Sequence, residues 1–328
     1  TKNLLTNTSV KFVGTATSGI DHISIDDLAE RGIYFADAKG SNANAVSDYC
    51  LSAVANIFGD KISAGHKLKF GIIGNGSIGS KLSGKIKELK WETLICDPPQ
   101  KDKDTEFLES VSYQPLQHLS SCDVISIHVP LTTSGKYPTK NLIDKTFLAS
   151  LSDNTVLINT SRGGIVDEES LLESLNKNTQ LMSVIDVWSG EPLCNRQLVE
   201  KSYIATPHIA GYSEKAKKTA SIKIFKEFCY CFDIDYNRVT SPYLHMEDII
   251  VEGNLTRFSE AINQVLPIME FSSEFKNLVR NSEEKNRAAT FDALRLKFSG
   301  RGEFCERIAP KKLGQEELEF LIAAGFNN

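Results

Sequence analysis

Short apolar segments alternate with amphipathic segments through the middle of the chain, between residues 69 and 209. Several of the apolar segments are hydrophobic at nearly every position instead of at every second one. That pattern is typical of parallel strands that are buried on both faces of a sheet. The predicted strands are Phe70–Ile73, Thr93–Cys96, Asp123–Val129, Val156–Asn159, Ser183–Trp188 and Tyr203–Ala205.

Helical periodicity separates these strands, most clearly at Ile78–Leu89 and Glu168–Leu175, where apolar residues recur every three or four positions. Regular alternation of strand and helix predicts an α/β fold with a doubly wound parallel sheet of the Rossmann type. We expect this sheet domain to occupy residues 42–212, including a long helical pattern at Asn42–Phe58.

The segment before the sheet domain, residues 1–41, has a different pattern. It contains two short predicted strands, Val10–Val13 and Ile33–Phe35, with a short helix between them that Ser24 caps. These few elements predict only part of a small lobe.

The segment after the sheet domain begins with a strongly periodic helix at Glu214–Phe232, and the pattern breaks at Tyr236–Pro242. We interpret residues 213–240 as a returning helix and a linker. Residues 241–328 have mixed patterns, with helices predicted at Leu255–Met269 and Glu316–Ala324, and predict a small α+β domain.

The composition narrows the partners that this fold could have. The formal net charge of -5 disfavours nucleic acids and anionic membranes, which usually need a basic surface. No apolar run approaches the roughly 20 residues that span a bilayer. The seven cysteines have no metal-site or disulfide spacing, so we expect no metal, free thiols and a cytoplasmic location.

A G-x-G-x-x-G motif, at Gly74, Gly76 and Gly79, directly follows a predicted strand and opens a predicted helix. In this context the first glycine permits a tight turn, the second lets the backbone approach a pyrophosphate, and the third allows close packing. The N–H groups of Ser77 and Ile78, at the start of the helix, could then bind the anion.

Asp97 ends the next predicted strand. A carboxylate at this position accepts hydrogen bonds from the ribose hydroxyls of NAD and repels the 2′-phosphate of NADP. A glycine turn followed by an unrelated acidic residue would show the same sequence pattern. The strand before the motif and the helix after it favour a dinucleotide site for NAD.

Three polar side chains follow later strands of the sheet: Arg162, Glu191 and His208. Ligands of open α/β sheets bind beyond the carboxyl ends of the strands, so we expect these three to converge. Taken singly, they could be a surface cation, a loop carboxylate and a structural histidine. Their common placement in one dinucleotide domain favours catalysis.

These residue types suit the oxidation of a 2-hydroxy acid. An arginine holds a carboxylate with two parallel donors, as Arg162 could. A histidine can remove the hydroxyl proton in one direction and return it in the other, as His208 could. A neighbouring carboxylate, Glu191, would orient the ring and stabilise the imidazolium.

Three longer stretches resemble the signatures of the D-2-hydroxyacid dehydrogenase family: Asn159–Asp167, Asp186–Pro192 and His208–Gly211. The resemblance implies a cofactor domain inserted into a flavodoxin-like substrate lobe, here present in part. It also implies that Arg162 binds the substrate carboxylate and that His208 is the acid–base catalyst with Glu191 as its partner.

Within that family, the stretches Val13–His22, Cys96–Pro99, His208–Tyr212 and Phe291–Arg295 resemble a branch that oxidises 4-phospho-D-erythronate with NAD+ in vitamin B6 synthesis. This resemblance implies that residues 241–328 form a dimerisation domain of a homodimer. It implies substrate contacts at Thr17 and Tyr212. It implies NAD contacts at Asp97, Val129, Thr160, Ser161, Arg162, Asp186 and Gly211.

Some features leave alternatives open. Members of this branch begin further upstream, so we expect additional residues before Thr1. Asn141 stands where the branch has histidine. Arg295 and Arg301 are candidates for the substrate phosphate. Another activity of the family, on phosphoglycerate, glycerate or lactate, and an NAD-responsive scaffold without catalysis remain alternative functions.

Overall fold

The computed structural model describes residues 4–103, 112–239, 250–251, 257–305, 307–308 and 313–327. The chain opens with a pair of parallel strands, β1 (Phe12–Thr15) and β2 (Tyr34–Asp37), which pair along their whole length. The short helix α1 (Ile25–Glu30) connects them and has Ser24 at its N-cap, as predicted.

Helix α2 (Ala43–Ser63) then leads into the central sheet and is buried along most of its length. The sheet contains six parallel strands in the order β4-β3-β5-β6-β7-β8. Their bounds are β3 Lys69–Ile73, β4 Glu92–Cys96, β5 Val124–Ile127, β6 Val156–Asn159, β7 Met182–Ile185 and β8 Ile204–Ala205.

The strand order reverses direction between β3 and β5, so the predicted doubly wound, Rossmann-type sheet is confirmed. Every residue of β5 and β6 is buried, which explains their continuous hydrophobicity. A single parallel bridge between Ile95 and Tyr113 extends the sheet beyond β4, at a position that the sequence pattern did not indicate.

Helices connect the strands: α3 (Ser77–Glu88), α4 (Pro98–Lys103), α5 (Lys145–Ala149), α6 (Glu168–Lys177) and α7 (Arg196–Lys201). The side chains of Asp144, Asp167 and Asn195 accept hydrogen bonds from the first turns of α5, α6 and α7 respectively. Such caps typically contribute about 1 kcal/mol each, and they define where the helices begin.

Helix α8 (Glu214–Cys231) returns from the sheet and packs against β1 and β2. The chain continues into the short helix α9 (Tyr236–Val239). The linker predicted from Tyr236 therefore begins with four helical residues, its remainder, 240–242, lies outside the described residues, and the linker assignment stays a prediction.

The C-terminal part contains a two-residue strand pair, β9 (Ile250–Val251) with β10 (Arg307–Ile308), and four helices within the described ranges. These are α10 (Phe258–Val265), α11 (Ile268–Asn281), α12 (Glu284–Phe298) and α13 (Gln315–Ala324). The predicted helix Leu255–Met269 is divided into two, because Pro267 at the N-cap of α11 cannot continue α10.

The C-terminal helices pack on the sheet domain of the same chain. Phe320 of α13 contacts Trp91 beside the sheet and Phe258 of α10, with ring centroids 5.9 and 4.9 Å apart. Lys85 of α3 donates to Asp48 of α2 at 2.6 Å and to the carbonyl of Ala324 at 2.6 Å. One continuous hydrophobic core results, and the separation of 241–328 as a dimerisation domain stays a prediction.

Other features of the described ranges bear on possible partners. None of their helices is both long enough and apolar enough to cross a bilayer. No group of three or more His, Cys, Asp or Glu side chains is arranged there as metal ligands would be. None of the seven cysteines, all of which lie in the described ranges, forms a disulfide bond.

We predict that Phe320→Ala lowers the free energy of unfolding by about 3–5 kcal/mol, because it leaves a cavity between α13 and the sheet domain. Ile322→Ala on the same helix is the control, since Ile322 is 40% exposed, and should cost less than about 1.5 kcal/mol. Chemical denaturation measures both values. Equal losses in the two variants would contradict the shared core.

Candidate active site

The glycine motif forms the turn between β3 and α3, and its backbone geometry explains Gly74 and Gly79. Gly74 has φ +89, and a Cβ atom there would lie 2.9 Å from the carbonyl of His128. A Cβ on Gly79 would lie 2.0 Å from the carbonyl oxygen of Gly74. A Cβ on Gly76 would meet no atom within 4 Å, so open space adjoins the start of the helix.

Asp97 follows β4 and lies beside this turn. One carboxylate oxygen accepts from the backbone N–H of Asn75 at 2.7 Å, and the other accepts from that of Gln100 at 3.0 Å. Because each oxygen of an ionised carboxylate can accept two hydrogen bonds, both keep capacity for a further donor. The carboxylate thus holds the glycine turn in place and remains able to bind hydroxyl groups.

The site fits a dinucleotide such as NAD. Gly76 at the N-cap of α3 leaves the first turn, at Ser77 and Ile78, uncovered by a capping side chain. This gives an open anion cradle at a helix N-terminus beside a ribose-binding carboxylate. Oδ1 of Asn75 in the glycine turn and Oγ1 of Thr160 after β6 are among the buried polar atoms of the described residues that have no hydrogen-bond partner. Val129 packs against Gly74, and its predicted contact with NAD stays a prediction.

The turn after β6 is fixed by its own side chains and presents Arg162. Asn159 donates to the carbonyl of Arg162 at 3.1 Å and accepts from the N–H of Ser161 at 3.2 Å. The hydroxyl of Ser161 donates to the carbonyl of Ile127 at 2.8 Å. This rigid turn directs the guanidinium toward the N-terminal strand pair.

The guanidinium of Arg162 already binds a carboxylate within this chain. Its Nε donates to Asp21 at 2.8 Å, and its Nη1 donates to the carbonyl of Ser161 at 2.8 Å. The guanidinium also lies against Gly19, where a Cβ would be 1.6 Å from Nη2. Arg162 can therefore recognise a carboxylate, and Asp21 shows one position from which it does so.

His208 and Glu191 form a hydrogen-bonded pair between Nδ1 and Oε2 at 2.8 Å. The other carboxylate oxygen of Glu191 accepts from the N–H of Trp188 at 2.8 Å, which fixes its orientation. Both side chains are partly exposed, His208 at 29% and Glu191 at 24%. With Nδ1 donating to the carboxylate, Nε2 is the nitrogen that can accept a proton.

Asp186 organises the loop that carries His208. Its carboxylate is fully buried and accepts from the hydroxyl of Thr206 at 2.6 Å and from the N–H groups of Ile209 and Ala210 at 2.8 Å each. Burial raises the pKa of Asp186. The structure directs this carboxylate at the loop, and the predicted contact with NAD stays a prediction.

The three loops that carry the predicted catalytic residues touch one another. A Cβ on Gly163, next to Arg162, would lie 2.0 Å from the carbonyl oxygen of Trp188, so these backbones are in close contact. The indole N–H of Trp188 donates to the carbonyl of Thr206 at 2.9 Å. Trp188 thus joins the loops of Arg162, Glu191 and His208 at the carboxyl ends of the strands.

The two predicted substrate residues come from different parts of the chain. Thr17 is exposed on the N-terminal lobe and donates to the carbonyl of Gly19 at 2.7 Å. Tyr212 follows the His208 loop and accepts from Nη2 of Arg295 at 2.5 Å. Between them, Gly211 lies against Asn42, whose amide nitrogen would be 2.5 Å from a Cβ at residue 211.

The two candidates for the phosphate have different surroundings. Arg295 lies over the ring of Tyr212, 5.2 Å from its centroid, and its side chain is 28% exposed. Arg301 is only 6% exposed and donates to the backbone carbonyls of Ala45 and Ala210. The prediction of Arg301 as a phosphate ligand is contradicted, because its guanidinium is engaged inside the protein.

Several residues of the site were not identified from the sequence. Asp21 lies within the stretch Val13–His22, and only its negative charge could have suggested that it pairs with Arg162. Tyr49, on the buried part of α2, contacts the hydroxyl of Thr206 through its own hydroxyl at 2.5 Å, and the helical pattern Asn42–Phe58 gave no sign of this contact. Asn141, where histidine was expected, has φ +54, a conformation that asparagine tolerates better than most residues.

Comparison with known proteins agrees with this architecture. Residues 58–210 match the family described as D-isomer specific 2-hydroxyacid dehydrogenase, NAD binding domain. The chain is 34% identical to an erythronate-4-phosphate dehydrogenase of a Marinomonas species, over 100% of this chain and 86% of the relative. It is also 34% identical to the Acinetobacter baumannii protein of the same name, over 94% of this chain and 86% of that relative.

Solved structures resemble the fold at lower sequence identity. A D-lactate dehydrogenase of Treponema pallidum superimposes with a TM-score of 0.56 and 22% identity, over 71% of this chain and 80% of that protein. A D-lactate dehydrogenase of Aquifex aeolicus, complexed with NAD and lactic acid, gives a TM-score of 0.56 and 23% identity, over 70% of this chain and 80% of that protein.

We predict that Gly79→Ala weakens NADH binding roughly tenfold or more, because the added methyl group displaces the turn at a cost of about 1–3 kcal/mol. Gly84→Ala is the control on the same helix, since a Cβ there meets no atom within 4 Å. That control should bind NADH normally and gain about 0.5–1 kcal/mol of stability. Fluorescence titration with NADH tests both, and normal binding by Gly79→Ala would contradict the assignment.

Proposed function

The chain belongs to the erythronate-4-phosphate dehydrogenases within the D-isomer specific 2-hydroxyacid dehydrogenase family, and we propose that it oxidises 4-phospho-D-erythronate to 2-oxo-3-hydroxy-4-phosphobutanoate. It is an NAD-dependent oxidoreductase. The observation that carries the proposal is the His208–Glu191 pair at 2.8 Å, joined through Trp188 to the turn of Arg162.

His208 removes the proton of the C2 hydroxyl group. Its Nε2 accepts this proton while the hydride leaves C2, and the C2 alcohol becomes a ketone. Bound NAD+ supplies the hydride acceptor, so the products are the 2-oxo acid, NADH and one proton. Glu191 stabilises the imidazolium that forms, because its carboxylate accepts from Nδ1.

Arg162 binds the substrate carboxylate. Its guanidinium has the planar donor geometry that matches a carboxylate, and it already holds that of Asp21 through Nε. A substrate carboxylate replaces Asp21 or binds the remaining donors beside it. In either arrangement, the rigid turn after β6 fixes the substrate plane relative to His208.

We assign the substrate phosphate to Arg295, with Tyr212 and Thr17 as further contacts. The exposed part of the Arg295 side chain and its bond to Tyr212 place a cation next to the His208 loop. Arg295 also has an exposed carboxylate neighbour, Asp292, at 3.6 Å. A phosphate with two negative charges is a stronger partner for the guanidinium than this exposed carboxylate.

The proposal includes a homodimer formed through the C-terminal residues 241–328 and a cytoplasmic location. The absence of disulfide bonds among the seven cysteines favours a reducing compartment. Sedimentation measures the oligomeric state.

A panel of 4-phospho-D-erythronate, 3-phosphoglycerate, D-glycerate and D-lactate, with NADH formation followed by absorbance, tests the substrate assignment. Preference for one of the other acids would overturn the substrate assignment, and NADH binding without any turnover would favour a scaffold.

We predict that His208→Asn lowers kcat by roughly 10²–10⁴-fold, because no other group takes the hydroxyl proton. Glu191→Gln lowers kcat in the same direction, since a neutral amide cannot offset the imidazolium charge. NADH binding persists in both variants. His118→Asn, on the exposed turn Leu116–Ser121, is the control and keeps full activity. Undiminished turnover by His208→Asn would remove His208 from the acid–base role.

We predict that Arg295→Ala raises KM for 4-phospho-D-erythronate by roughly 10–100-fold, the equivalent of about 1.5–3 kcal/mol for a charge-assisted hydrogen bond. KM for D-erythronate, which lacks the phosphate, changes little. Lys297→Ala on the same helix is the control, because Lys297 is exposed and pairs with Glu274. An unchanged ratio of the two KM values would exclude Arg295 as the phosphate ligand.

A further inference from the structure

The chain passes twice between the N-terminal strand pair and the central sheet. The first crossover leads from the end of β2 at Asp37 into α2. The second leads from β8 through the His208 loop into α8, which packs back on β1 and β2. These two crossovers are the covalent connections between the two parts, and the acid–base residue lies in the second.

A buried segment from the C-terminal part, residues 299–305, lies across both crossovers. Its side chains Ser299, Arg301, Glu303 and Phe304 are between 1% and 6% exposed. The N–H of Phe304 donates to Asp48 of α2 at 2.8 Å. Glu303 accepts from the hydroxyl of Ser213, at the start of α8, at 2.6 Å.

Arg301 contacts both crossovers with one guanidinium group. Its Nη2 donates to the carbonyl of Ala45, in the first turn of α2, at 2.9 Å, and to that of Ala210 at 2.6 Å. Its own carbonyl accepts from the N–H of Glu214 at 3.1 Å. The two donors of a single planar nitrogen therefore join backbone segments that are far apart in sequence.

Ala210 connects this interaction to the catalytic loop. Its N–H donates to Asp186 at 2.8 Å, and its carbonyl accepts from Arg301. The N–H of His208 donates to the carbonyl of Asp186 at 2.7 Å. The loop from 208 to 210 is thus held on one side by Asp186 and on the other by Arg301.

We propose that Arg301 is a positioning residue for the His208–Glu191 pair, acting through Ala210 and through both crossovers. This inference rests on the proposed function. Arginine suits the role because its planar fork supplies several donors in fixed directions, which the ammonium group of lysine cannot reproduce. The buried carboxylates of Asp48, Glu303 and Asp186 offset its charge.

The test compares Arg301→Lys with Arg280→Lys in the full-length enzyme. Arg280 lies on α11 with a half-exposed side chain and is the control, which should match the unmodified enzyme. We expect Arg301→Lys to lower kcat roughly 10–100-fold through misplacement of His208, while the dissociation constant of NADH stays unchanged. The primary deuterium isotope effect on kcat, measured with substrate deuterated at C2, should rise as hydride transfer becomes rate-limiting.

Hydrogen exchange gives a readout that is independent of turnover. In Arg301→Lys, we expect the amides of Ile209 and Ala210 to exchange faster, because their bonds to Asp186 lose the opposing anchor. An unchanged kcat with unchanged exchange would overturn the proposal. A parallel loss of kcat, NADH affinity and melting temperature would also overturn it, since that result indicates general destabilisation.

If Arg301→Lys does not fold, Ser213→Ala tests the same segment with Arg301 intact. It removes both the bond from Ser213 to Glu303 and the N-cap bond that Ser213 accepts from Ala216 of α8, and it should give a smaller decrease in kcat with normal NADH affinity. An unchanged kcat in that variant would overturn the proposal. Failure of the proposed function is distinguishable, because the unmodified enzyme would then oxidise no 2-hydroxy acid while the exchange comparison still reports on Arg301.

Discussion

The buried carboxylate of Asp186 is the interaction on which the geometry of this site depends. Removing an ionised carboxyl group from water costs several kcal/mol unless hydrogen bonds replace its hydration. Thr206, Ile209 and Ala210 provide those bonds, and in doing so they determine the path of the loop. That path includes φ +57 at His208, a left-handed conformation that costs roughly 1–2 kcal/mol in a residue other than glycine. The carboxylate therefore holds the histidine in a conformation that the free chain avoids.

The C-terminal helices complete the environment of this loop. Strand β8 lies at the edge of the sheet and has only two residues. Helix α11 covers it: Ser272 accepts from the N–H of Ala205 at 2.9 Å, and Phe275 packs against Trp188. Covering an edge strand satisfies its backbone groups and prevents pairing with other chains. Trp188 thereby lies between the C-terminal core and the loop of Glu191, which links the stability of the fold to the orientation of the catalytic pair.

Much of the central domain could be predicted because its signals are local. Buried parallel strands have continuous apolar runs, and the glycine turn has a fixed spacing, so the sheet and the phosphate cradle were identified with bounds close to those observed. The C-terminal part was predicted less well. Helix α12 has no strong periodicity, and Pro267 divides a pattern that looks continuous. Contacts between distant segments, such as Arg162 with Asp21 and Arg301 with Ala210, depend on tertiary packing and leave no pattern along the chain. The charge of Arg301 suggested an anion ligand, whereas its partners are backbone carbonyl groups.

The dependence of the catalytic loop on residues 299–305 has a consequence for biosynthesis. Ribosomes make proteins from the N-terminus, and domains generally fold as they emerge. In this chain the sheet, the glycine turn and the histidine are all translated before Arg301 and Phe320. A nascent chain can therefore acquire its nucleotide cradle early, but the anchor of its acid–base loop is added only after the sheet and that loop have been synthesised.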